Sequence, residues 1–478
     1  MTAQEQPTNK LAPLQPNMEK IFAAQRDACQ LLPYPSRADR ADRLTRLKKL
    51  IIENKDTLAA AINKDFGNRS LDETLMFDVM LPVQYINYNL KNMKRWMKPQ
   101  RRHLGLHMQP ASAKVVYQPL GMVGIIGAWN YPLFLVAAPL AAVLAAGNRA
   151  MIKMSEHNPA SGALFAELIS QAFSPDEVCV FNGDVAIAKQ LTSLDLDHII
   201  FTGSTRIGRE IMSAAADHLT PVTLELGGKS PAIISETADM ANAALRICHG
   251  KTANGGQICV APDYALIPKG RSDDFLKHIQ RSYQQLYPYG PSSDDCTSIV
   301  NEAQFQRLQA WLEDAKLKGA TITNMAPDYI CKDRKMPLYV VSNLNSDMML
   351  MQEEIFGPIL PIIEYNQFDD AIYQIQTSAR PLAAYYFGSN ADEIQIVEKH
   401  THSGGVTIND CLFHATVDDA PFGGVGPSGM GHYHGKEGFL QFSKAKTILT
   451  KGPINTSRLL YPPFGKFIHK LIYRYLIR

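Results

Sequence analysis

Short apolar runs alternate with stretches of helical periodicity from residue 115 onward, and this alternation constrains the fold more than any other feature. The runs cover 123–128, 149–154, 177–183, 198–204 and 220–227. Helical stretches such as 160–173 and 207–218 lie between them. Strands that alternate with helices indicate βαβ units and a parallel sheet. The sequence therefore predicts an α/β fold.

The alternation starts afresh after residue 228, which indicates a second α/β domain. Strand-like segments follow at 230–236, 263–269, 357–365, 381–389 and 403–410, with helical segments at 241–254, 272–286 and 301–319. The preceding part is helical, because apolar residues recur at spacings of three and four over 21–31, 40–63 and 72–97. A length of 478 residues also favours two or three domains.

One stretch, 115–148, carries no formal charge over 34 residues and is long enough to span a bilayer. Glycine and proline interrupt it repeatedly, which argues against a spanning helix. The sequence predicts a strand over 115–128, a turn over 129–132 and a buried helix over 133–147. A strand that is covered on both faces has such a continuous apolar run.

The composition excludes several classes of protein. With 46% hydrophobic residues and a net charge of +2, the chain is not disordered. Its seven cysteines lie at least 11 residues apart, which excludes a disulfide scaffold and CxxC metal sites. Dispersed thiols indicate a reducing compartment, so we expect a cytoplasmic protein. The polar N-terminus lacks the apolar segment of a secretory signal.

Charge is distributed unevenly along the chain. Residues 438–478 contain eight Lys or Arg and no Asp or Glu, whereas the remainder has 40 basic and 46 acidic residues, a net charge of −6. A mildly acidic body argues against nucleic acid as a partner.

The last residues of this basic segment have the pattern of an amphipathic helix. Apolar side chains recur at helical spacing at Phe467, Ile468, Leu471, Ile472, Tyr475 and Leu476. Basic side chains recur every four residues at Lys466, Lys470, Arg474 and Arg478. Such helices bind membrane surfaces, so we expect peripheral contact with the inner face of a membrane. The alternative is a terminal helix that docks on the body or on a partner subunit.

Two segments suggest a nucleotide site. In 201–210 an apolar strand runs into Gly203 and Ser204 and then a helix, and such a turn can leave backbone N–H groups free for a phosphate. In 153–156, Lys153 and Glu156 follow a strand, where they can meet ribose hydroxyls. The alternatives are a glycine needed only for its backbone angle and a solvated charge pair.

Two further segments suggest covalent chemistry. Glu225 lies inside a short apolar strand before a Gly-Gly turn, and a buried carboxylate with a raised pKa suits a general base. Cys259 follows another Gly-Gly turn in an apolar setting, where its thiolate can attack a carbonyl carbon. The alternatives are a glutamate bonded to turn amides and a cysteine that acts as a small buried hydrophobe.

The joint order of these segments is more specific than any one of them. GAWNYP, KMSE, FTGSTRIG, LELGGKSP, GQICVAPDY, EEIFGP and PFGGVGPSGMGHYHGKEGF occur in the order of the NAD(P)-dependent aldehyde dehydrogenases. The resemblance covers roughly 20–445. APDY and SGMGHYHGK resemble the class 3 branch, and within it the bacterial coniferyl aldehyde dehydrogenases.

The resemblance implies roles for three residues in oxidation of an aldehyde to a carboxylic acid. Cys259 matches the nucleophile, which forms a thiohemiacetal and then a thioester. Asn130 matches the asparagine that stabilises the oxyanion, and Glu225 matches the base that activates water for thioester hydrolysis. The substrate is expected to be aromatic, such as coniferyl aldehyde, or a medium-chain aliphatic aldehyde.

The resemblance also implies a cofactor site for NAD, with NADP as an alternative. Lys153 and Glu156 match residues at the adenosine ribose, where Glu156 would repel a 2′-phosphate. The other matching positions are Trp129, Gly203 and Ser204 near the pyrophosphate, and Glu354 and Phe356 beside the nicotinamide. Met154 stands where the family has proline, which puts only the local turn in doubt.

We expect no metal, since His414, His432 and His434 are accompanied by no carboxylate or cysteine motif. The resemblance implies a homodimer with a Rossmann-type cofactor domain at 19–227, a catalytic domain at 228–407 and a bridging segment for oligomerisation at 408–450. These lie between an N-terminal tail at 1–18 and the basic tail at 451–478.

Three rival functions fit the same residues less well than oxidation of an aldehyde. A CoA-dependent acylating enzyme would not need Glu225, because a thiol attacker requires no such base. An acyl-phosphate reductase would lack Glu225 and the Lys153–Glu156 pair. A catalytically silent binding protein would have lost Cys259 or Glu225.

Overall fold

The computed structural model describes residues 17–105 and 108–477, so the N-terminal tail predicted over 1–18 lies outside it except for Asn17 and Met18. The amino-terminal part is helical, as expected. Its helices are α1 (Met18–Leu31), α2 (Arg37–Glu53), α3 (Lys55–Phe66), α4 (Leu71–Thr74), a π-helical stretch (Leu75–Met80) and α5 (Leu81–Trp96).

Two of the predicted helices in this part are interrupted. The helix expected over 40–63 is divided at Asn54 into α2 and α3. The backbone and side-chain nitrogens of Asn54 both donate to the carbonyl of Leu50, which caps the end of α2. The helix expected over 72–97 contains the π-helical stretch, which includes the buried Asp78. π-Helical turns often occur at functional sites.

A six-stranded sheet follows, with the order β15-β7-β6-β3-β4-β5. All neighbours are parallel except the short β15 against β7. The strands are β3 (Met122–Ile126), β4 (Arg149–Lys153), β5 (Val178–Phe181), β6 (His198–Thr202), β7 (Val222–Glu225) and β15 (Gly429–Met430); the helices are α6 (Phe134–Ala146), α7 (Pro159–Ala172), α8 (Val185–Thr192) and α9 (Thr205–Ala216). The order places the switch point between β3 and β6, where α/β sheets bind ligands.

The uncharged stretch 115–148 is buried, as predicted, and every residue from Leu135 to Ala146 in α6 is buried. Among the described residues, no helix has the length and apolar character needed to cross a membrane. The single strand predicted over 115–128 is wrong. Its first half is β2 (Ser112–Pro119), which belongs to a separate three-stranded antiparallel sheet with β1 (Gln100–Arg102) and β16 (Ser443–Thr450).

The second sheet has seven strands in the order β10-β11-β12-β9-β8-β13-β14, parallel except for β10 against β11. Its strands are β8 (Pro231–Ile234), β9 (Tyr264–Pro268), β10 (Thr321–Asn324), β11 (Tyr339–Ser342), β12 (Ile359–Tyr365), β13 (Ala383–Phe387) and β14 (Gly405–Ile408). Its helices are α10 (Met240–Thr252), α11 (Ser272–Leu286), α12 (Glu302–Leu317), α13 (Met349–Gln352), α14 (Phe368–Thr377) and α15 (Ala391–His400). The second α/β unit is thus present, and the domain boundaries remain a prediction.

Two helices complete the chain, α16 (Gly435–Gln441) and α17 (Phe467–Leu476). The chain passes from β7 directly to β8 through residues 226–230. The carboxyl end of β7 in the first sheet is therefore joined by a short turn to the amino end of β8 in the second. The predicted site residues lie on both sides of this junction.

Candidate active site

Cys259 follows a tight turn at the end of α10. The chain makes a 3-10 turn over Ala253–Gly256, in which Asn254, Gly255 and Gly256 have φ angles of 50°, 63° and 74°. Two glycines in succession permit this left-handed backbone without the cost that a Cβ would add. The turn reverses the chain and leaves Cys259 before the start of β9.

The buried side chain of Gln257 fixes the backbone that leads to Cys259. Its amide nitrogen donates to the carbonyl oxygens of Asn254 at 2.8 Å and Ser298 at 3.1 Å. Its amide oxygen accepts from the backbone N–H of Val300 at 2.9 Å. A fully bonded amide two residues before the thiol restricts where the thiol can lie.

Asn130 contacts this same loop, which brings two of the predicted catalytic positions together. Its side-chain nitrogen donates to the carbonyl of Gln257 at 3.0 Å. Its own carbonyl accepts from the Asn254 side chain at 3.0 Å and from Arg69 at 3.2 Å. The second hydrogen on the Asn130 side-chain nitrogen remains available to an acceptor in the site.

A buried ion pair supports Asn130 from behind. Arg69 and Asp78 are fully buried and lie 2.8 Å apart. The other oxygen of Asp78 accepts from the backbone N–H groups of Leu133 at 3.1 Å and Phe134 at 2.9 Å, which begins α6. The π-helical stretch thus places a carboxylate at a helix amino terminus, where negative charge is favoured.

Glu225 is the last residue of β7, and only 3% of it is exposed. Within the described part of the chain, neither carboxyl oxygen has a hydrogen-bond partner. Burial raises the pKa of this carboxyl well above its usual value. A carboxyl group without partners that resists ionisation is suited to accept a proton and release it again.

The thiol of Cys259 is held in its neutral form. Burial raises its pKa to about 12, and the charges of Glu354 and Glu225 raise it further, whereas the backbone amides of Cys259 and Val260 oppose the shift. Nucleophilic attack therefore requires that the thiol proton be removed.

Glu354 lies against the turn that joins the two sheets. A Cβ on Gly227 would overlap its carboxylate, and the backbone N–H of Gly228 donates to it. Burial and the nearby Asp263 raise the pKa of Glu354 to about 8. Glycine at 227 is thus needed for the close approach of this side chain.

Three residues to which no role was assigned from sequence hold Glu354 in place. Asp263 accepts from Lys229 with one carboxylate oxygen and from the backbone N–H of Ile355 at 2.9 Å with the other. The fully buried Lys251 lies 3.7 Å from the second oxygen, and burial lowers its pKa to about 8. Lys229 and Asp263 belong to the GGKSP and APDY motifs, and this membership was the sequence signal that could have indicated their role.

The predicted cofactor residues fall into separate groups. Lys153 is buried at the end of β4 and pairs with the half-exposed Glu156. Burial alone would raise the pKa of Glu156, but the hydrogen bond from Lys153 keeps it below its usual value. Trp129 meets Phe356 edge-on with ring centroids 5.2 Å apart.

Gly203 and Ser204 have structural partners of their own. The backbone N–H of Gly203 donates to the carbonyl of Glu225 at 3.0 Å, so this amide is not one of those left free at the turn, and the place of Gly203 near a pyrophosphate stays a prediction. The hydroxyl of Ser204 accepts from the backbone N–H of Ile207 at 3.4 Å and caps α9. Any anion at this turn would therefore meet the start of the helix.

The histidines noted in the sequence do not form a cluster with metal-binding partners. In the described residues, no group of three His, Cys, Asp or Glu is placed to hold a metal ion. His434 stacks on Phe422 at 5.3 Å and meets the ring of Tyr433 at 4.4 Å. Burial lowers the pKa of His434 to about 3, so it is neutral.

Two mainly parallel α/β sheets and their connecting loops carry a half-buried thiol, an asparagine amide and a buried carboxyl, which together form a candidate enzyme active site. Comparison with known proteins makes this specific. The chain belongs to the aldehyde dehydrogenase family, whose sequence model matches residues 13–448. The protein is accordingly an oxidoreductase that acts on the aldehyde group.

Individual relatives support the class 3 resemblance. A probable coniferyl aldehyde dehydrogenase of Pseudomonas aeruginosa is 49% identical over 96% of both chains. The rat aldehyde dehydrogenase family 3 member A2 is 38% identical over 89% of this chain and 87% of its own. A substrate-bound structure of Staphylococcus aureus AldH has a TM-score of 0.91 and 33% identity, and the match covers 97% of this chain and all of that one.

Proposed function

We propose that the protein oxidises an aromatic aldehyde, coniferyl aldehyde or a close analogue, to its carboxylic acid with NAD as the acceptor. The observation that carries the proposal is the half-buried Cys259 thiol, on a loop that Asn130 contacts, together with the buried Glu225, which lacks a hydrogen-bond partner among the described residues. The name of the Pseudomonas aeruginosa relative supports the aromatic substrate. A medium-chain aliphatic aldehyde is the alternative.

In the first step, the thiol of Cys259 releases its proton to solvent, its sulfur forms a bond with the carbonyl carbon, and the carbonyl electrons move to oxygen. The free hydrogen on the Asn130 side-chain nitrogen and the backbone N–H of Cys259 donate to that oxygen. Donors aimed at a developing oxyanion in a buried site stabilise the transition state more than they would in water. The product of this step is a thiohemiacetal.

NAD, when bound, supplies the acceptor for the hydride that leaves the former aldehyde carbon. The residues present fit it at the carboxyl edge of the first sheet. Glu156 has a lowered pKa and keeps its charge, so it accepts from ribose hydroxyls and repels a 2′-phosphate. This favours NAD over NADP. When NAD is bound, the start of α9, rather than the Gly203 amide, would hold the pyrophosphate.

Glu225 then removes a proton from water, whose oxygen attacks the thioester carbon. The bond from carbon to sulfur breaks, the carboxylic acid leaves, and the proton returns to the thiol. A thioester that is cleaved by water needs such a base, whereas a CoA thiol or phosphate would not. The buried carboxyl of Glu225 therefore favours the hydrolytic reaction over both rivals.

The proposal includes a homodimer, in line with the resemblance. β16 is an edge strand of eight residues in the three-stranded sheet, and most of its side chains are exposed. The unpaired backbone groups of such an edge readily bond to a strand of another chain. A second copy that pairs with this edge would use the bridging segment 408–450.

The test is NADH or NADPH formation with coniferaldehyde, benzaldehyde, hexanal and decanal, without CoA. We expect turnover that is fastest with coniferaldehyde and NAD. Cys259→Ala is the matched control and should lose at least about 10⁴-fold in kcat while it still binds NAD. Activity that appears only with CoA or phosphate would overturn the hydrolytic reaction, and a preference for decanal would overturn the aromatic substrate.

A further inference from the structure

The helix α17 presents two adjacent stripes of side chains to solvent. Phe467 and Leu471 are one helical step of four apart, and 80% and 53% of them are exposed. Lys466 and Lys470 each precede a member of that row by one position, Arg474 continues their spacing of four, and all three are exposed. Because residues four apart share a face, an apolar row runs beside a basic row along the helix.

The helix α17 packs on the turn that precedes it, and the two stripes stay exposed. Among its residues that the structure describes, only His469 is buried. Its Nε2 donates to the carbonyl of Leu459 at 2.8 Å, and its Nδ1 accepts from the backbone N–H of Gly465 at 3.1 Å. The helix therefore folds back on the 3-10 turn Thr456–Leu460 just before it.

That turn and the connecting segment extend the apolar surface. Half or more of each of three further side chains is exposed, those of Leu459, Leu460 and Phe464. The segment is held to the body by contacts such as the bond from the Thr456 hydroxyl to the carbonyl of Gln109 at 3.3 Å. A cluster of large exposed apolar side chains in one segment marks an interaction surface.

The charges of the segment identify the partner. Residues 438–478 contain no acid, and none of the described Lys or Arg in that range forms an ion pair. A second copy of residues 451–477 placed on this surface would bring the same positive charges and be repelled. An anionic lipid surface satisfies both rows, because phosphates meet the basic row while apolar side chains enter the acyl boundary.

We propose that residues 451–477 dock the enzyme on an anionic bilayer, with α17 parallel to the membrane plane. The helix has ten residues and is too short to span the hydrocarbon core. Phe464, Phe467 and Leu471 insert, and the basic row lies at the level of the lipid phosphates. The surface involved would be the inner face of a membrane, and the catalytic reaction does not depend on it.

The first test is co-sedimentation of the full chain with vesicles of phosphatidylcholine alone and with phosphatidylglycerol added. We expect binding only to the anionic vesicles. Phe467→Ser with Leu471→Ser should weaken it by roughly 100-fold, because the buried apolar area is lost. The matched control, Leu317→Ser with Ile330→Ser, changes two exposed apolar residues of the body and should bind like the parent protein.

The second test removes charge. Replacing Lys466, Lys470 and Arg474 by alanine should weaken binding by about fivefold per residue, and added salt should weaken the parent protein in the same way. Replacement of three exposed lysines of the body, Lys189, Lys269 and Lys277, is the control and should leave binding unchanged. Turnover of a soluble aldehyde should be unchanged in all variants, which verifies their folding.

Three outcomes would overturn the proposal. The first is failure of the parent protein to sediment with anionic vesicles. The second is equal binding of the parent protein to neutral vesicles. The third is a change of oligomer size, without lipid, in the Phe467→Ser, Leu471→Ser variant, which would make a second copy the occupant of the surface.

Discussion

Two regions of the candidate active site differ in how many of their polar atoms form hydrogen bonds. Around Asn130 and Gln257, side-chain amides and backbone carbonyls are joined by bonds of 2.8–3.2 Å. Around Glu225, by contrast, both carboxyl oxygens lack a partner in the described residues. A group that must stay in place is held by several hydrogen bonds, whereas a group that must exchange protons has none among the described residues. The residues that fix the backbone of the site and the residue that exchanges protons are therefore different ones.

Glu225→Gln tests the unbonded region. Glutamine has the same shape but cannot take a proton from water, so we expect kcat to fall by about 10³-fold. A single burst of NADH should still form, because attack by Cys259 and hydride loss precede the step that needs Glu225. Rapid-mixing kinetics would measure the burst, with the exposed Glu236→Gln as the control.

The pH dependence sharpens the same contrast. Because burial raises the pKa of Glu225, its ionised form is scarce at low pH, and thioester hydrolysis should speed up as pH rises through that pKa. The raised pKa also means that ionisation of Glu225 destabilises the fold as pH rises above its usual value. Glu225→Gln should therefore melt no lower than the parent protein at neutral pH. Normal steady-state turnover would exclude Glu225 as the base.

The unequal success of sequence reasoning follows from the two-sheet geometry. Lys153, Gly203 and Glu225 lie at carboxyl ends of strands in the first sheet, where α/β folds place their ligands. Cys259 and Glu354 instead precede β9 and β12 in the second sheet; a Gly-Gly turn suggested a role for Cys259, whereas only the family motifs pointed to Glu354. No local pattern indicates that amino ends of one sheet face carboxyl ends of another.

Residues joined by packing over long separations were also missed. Arg69 and Asp78 form a buried pair that supports Asn130, and their role depends on a π-helical turn that periodicity does not predict. The strand β16 was missed because its exposed side chains do not alternate between apolar and polar faces. Its partner β2 lies more than 300 residues earlier, so no local pattern indicated that the strand predicted over 115–128 is divided between two sheets.

Asn130→Ala tests the bonded region and has a smaller expected effect. Loss of one oxyanion donor should lower kcat by about 10²-fold. The reaction of Cys259 with iodoacetamide should change little, because alkylation creates no oxyanion. Equal losses in turnover and in alkylation would instead assign Asn130 to positioning of the loop alone. Asn92→Ala, at a half-buried position of α5, is the control.

Glu354→Gln probes the boundary between the two regions and should have the smallest effect. The charge of Glu354 raises the pKa of Cys259, so its removal should lower that pKa and enlarge the thiolate fraction at pH 8 to 9. Alkylation by iodoacetamide should then be about threefold to tenfold faster, since the thiolate is the reactive form. The exposed neighbour Glu353→Gln should leave the rate unchanged. A slower or unchanged rate in Glu354→Gln would show that burial alone sets the reactivity of the thiol.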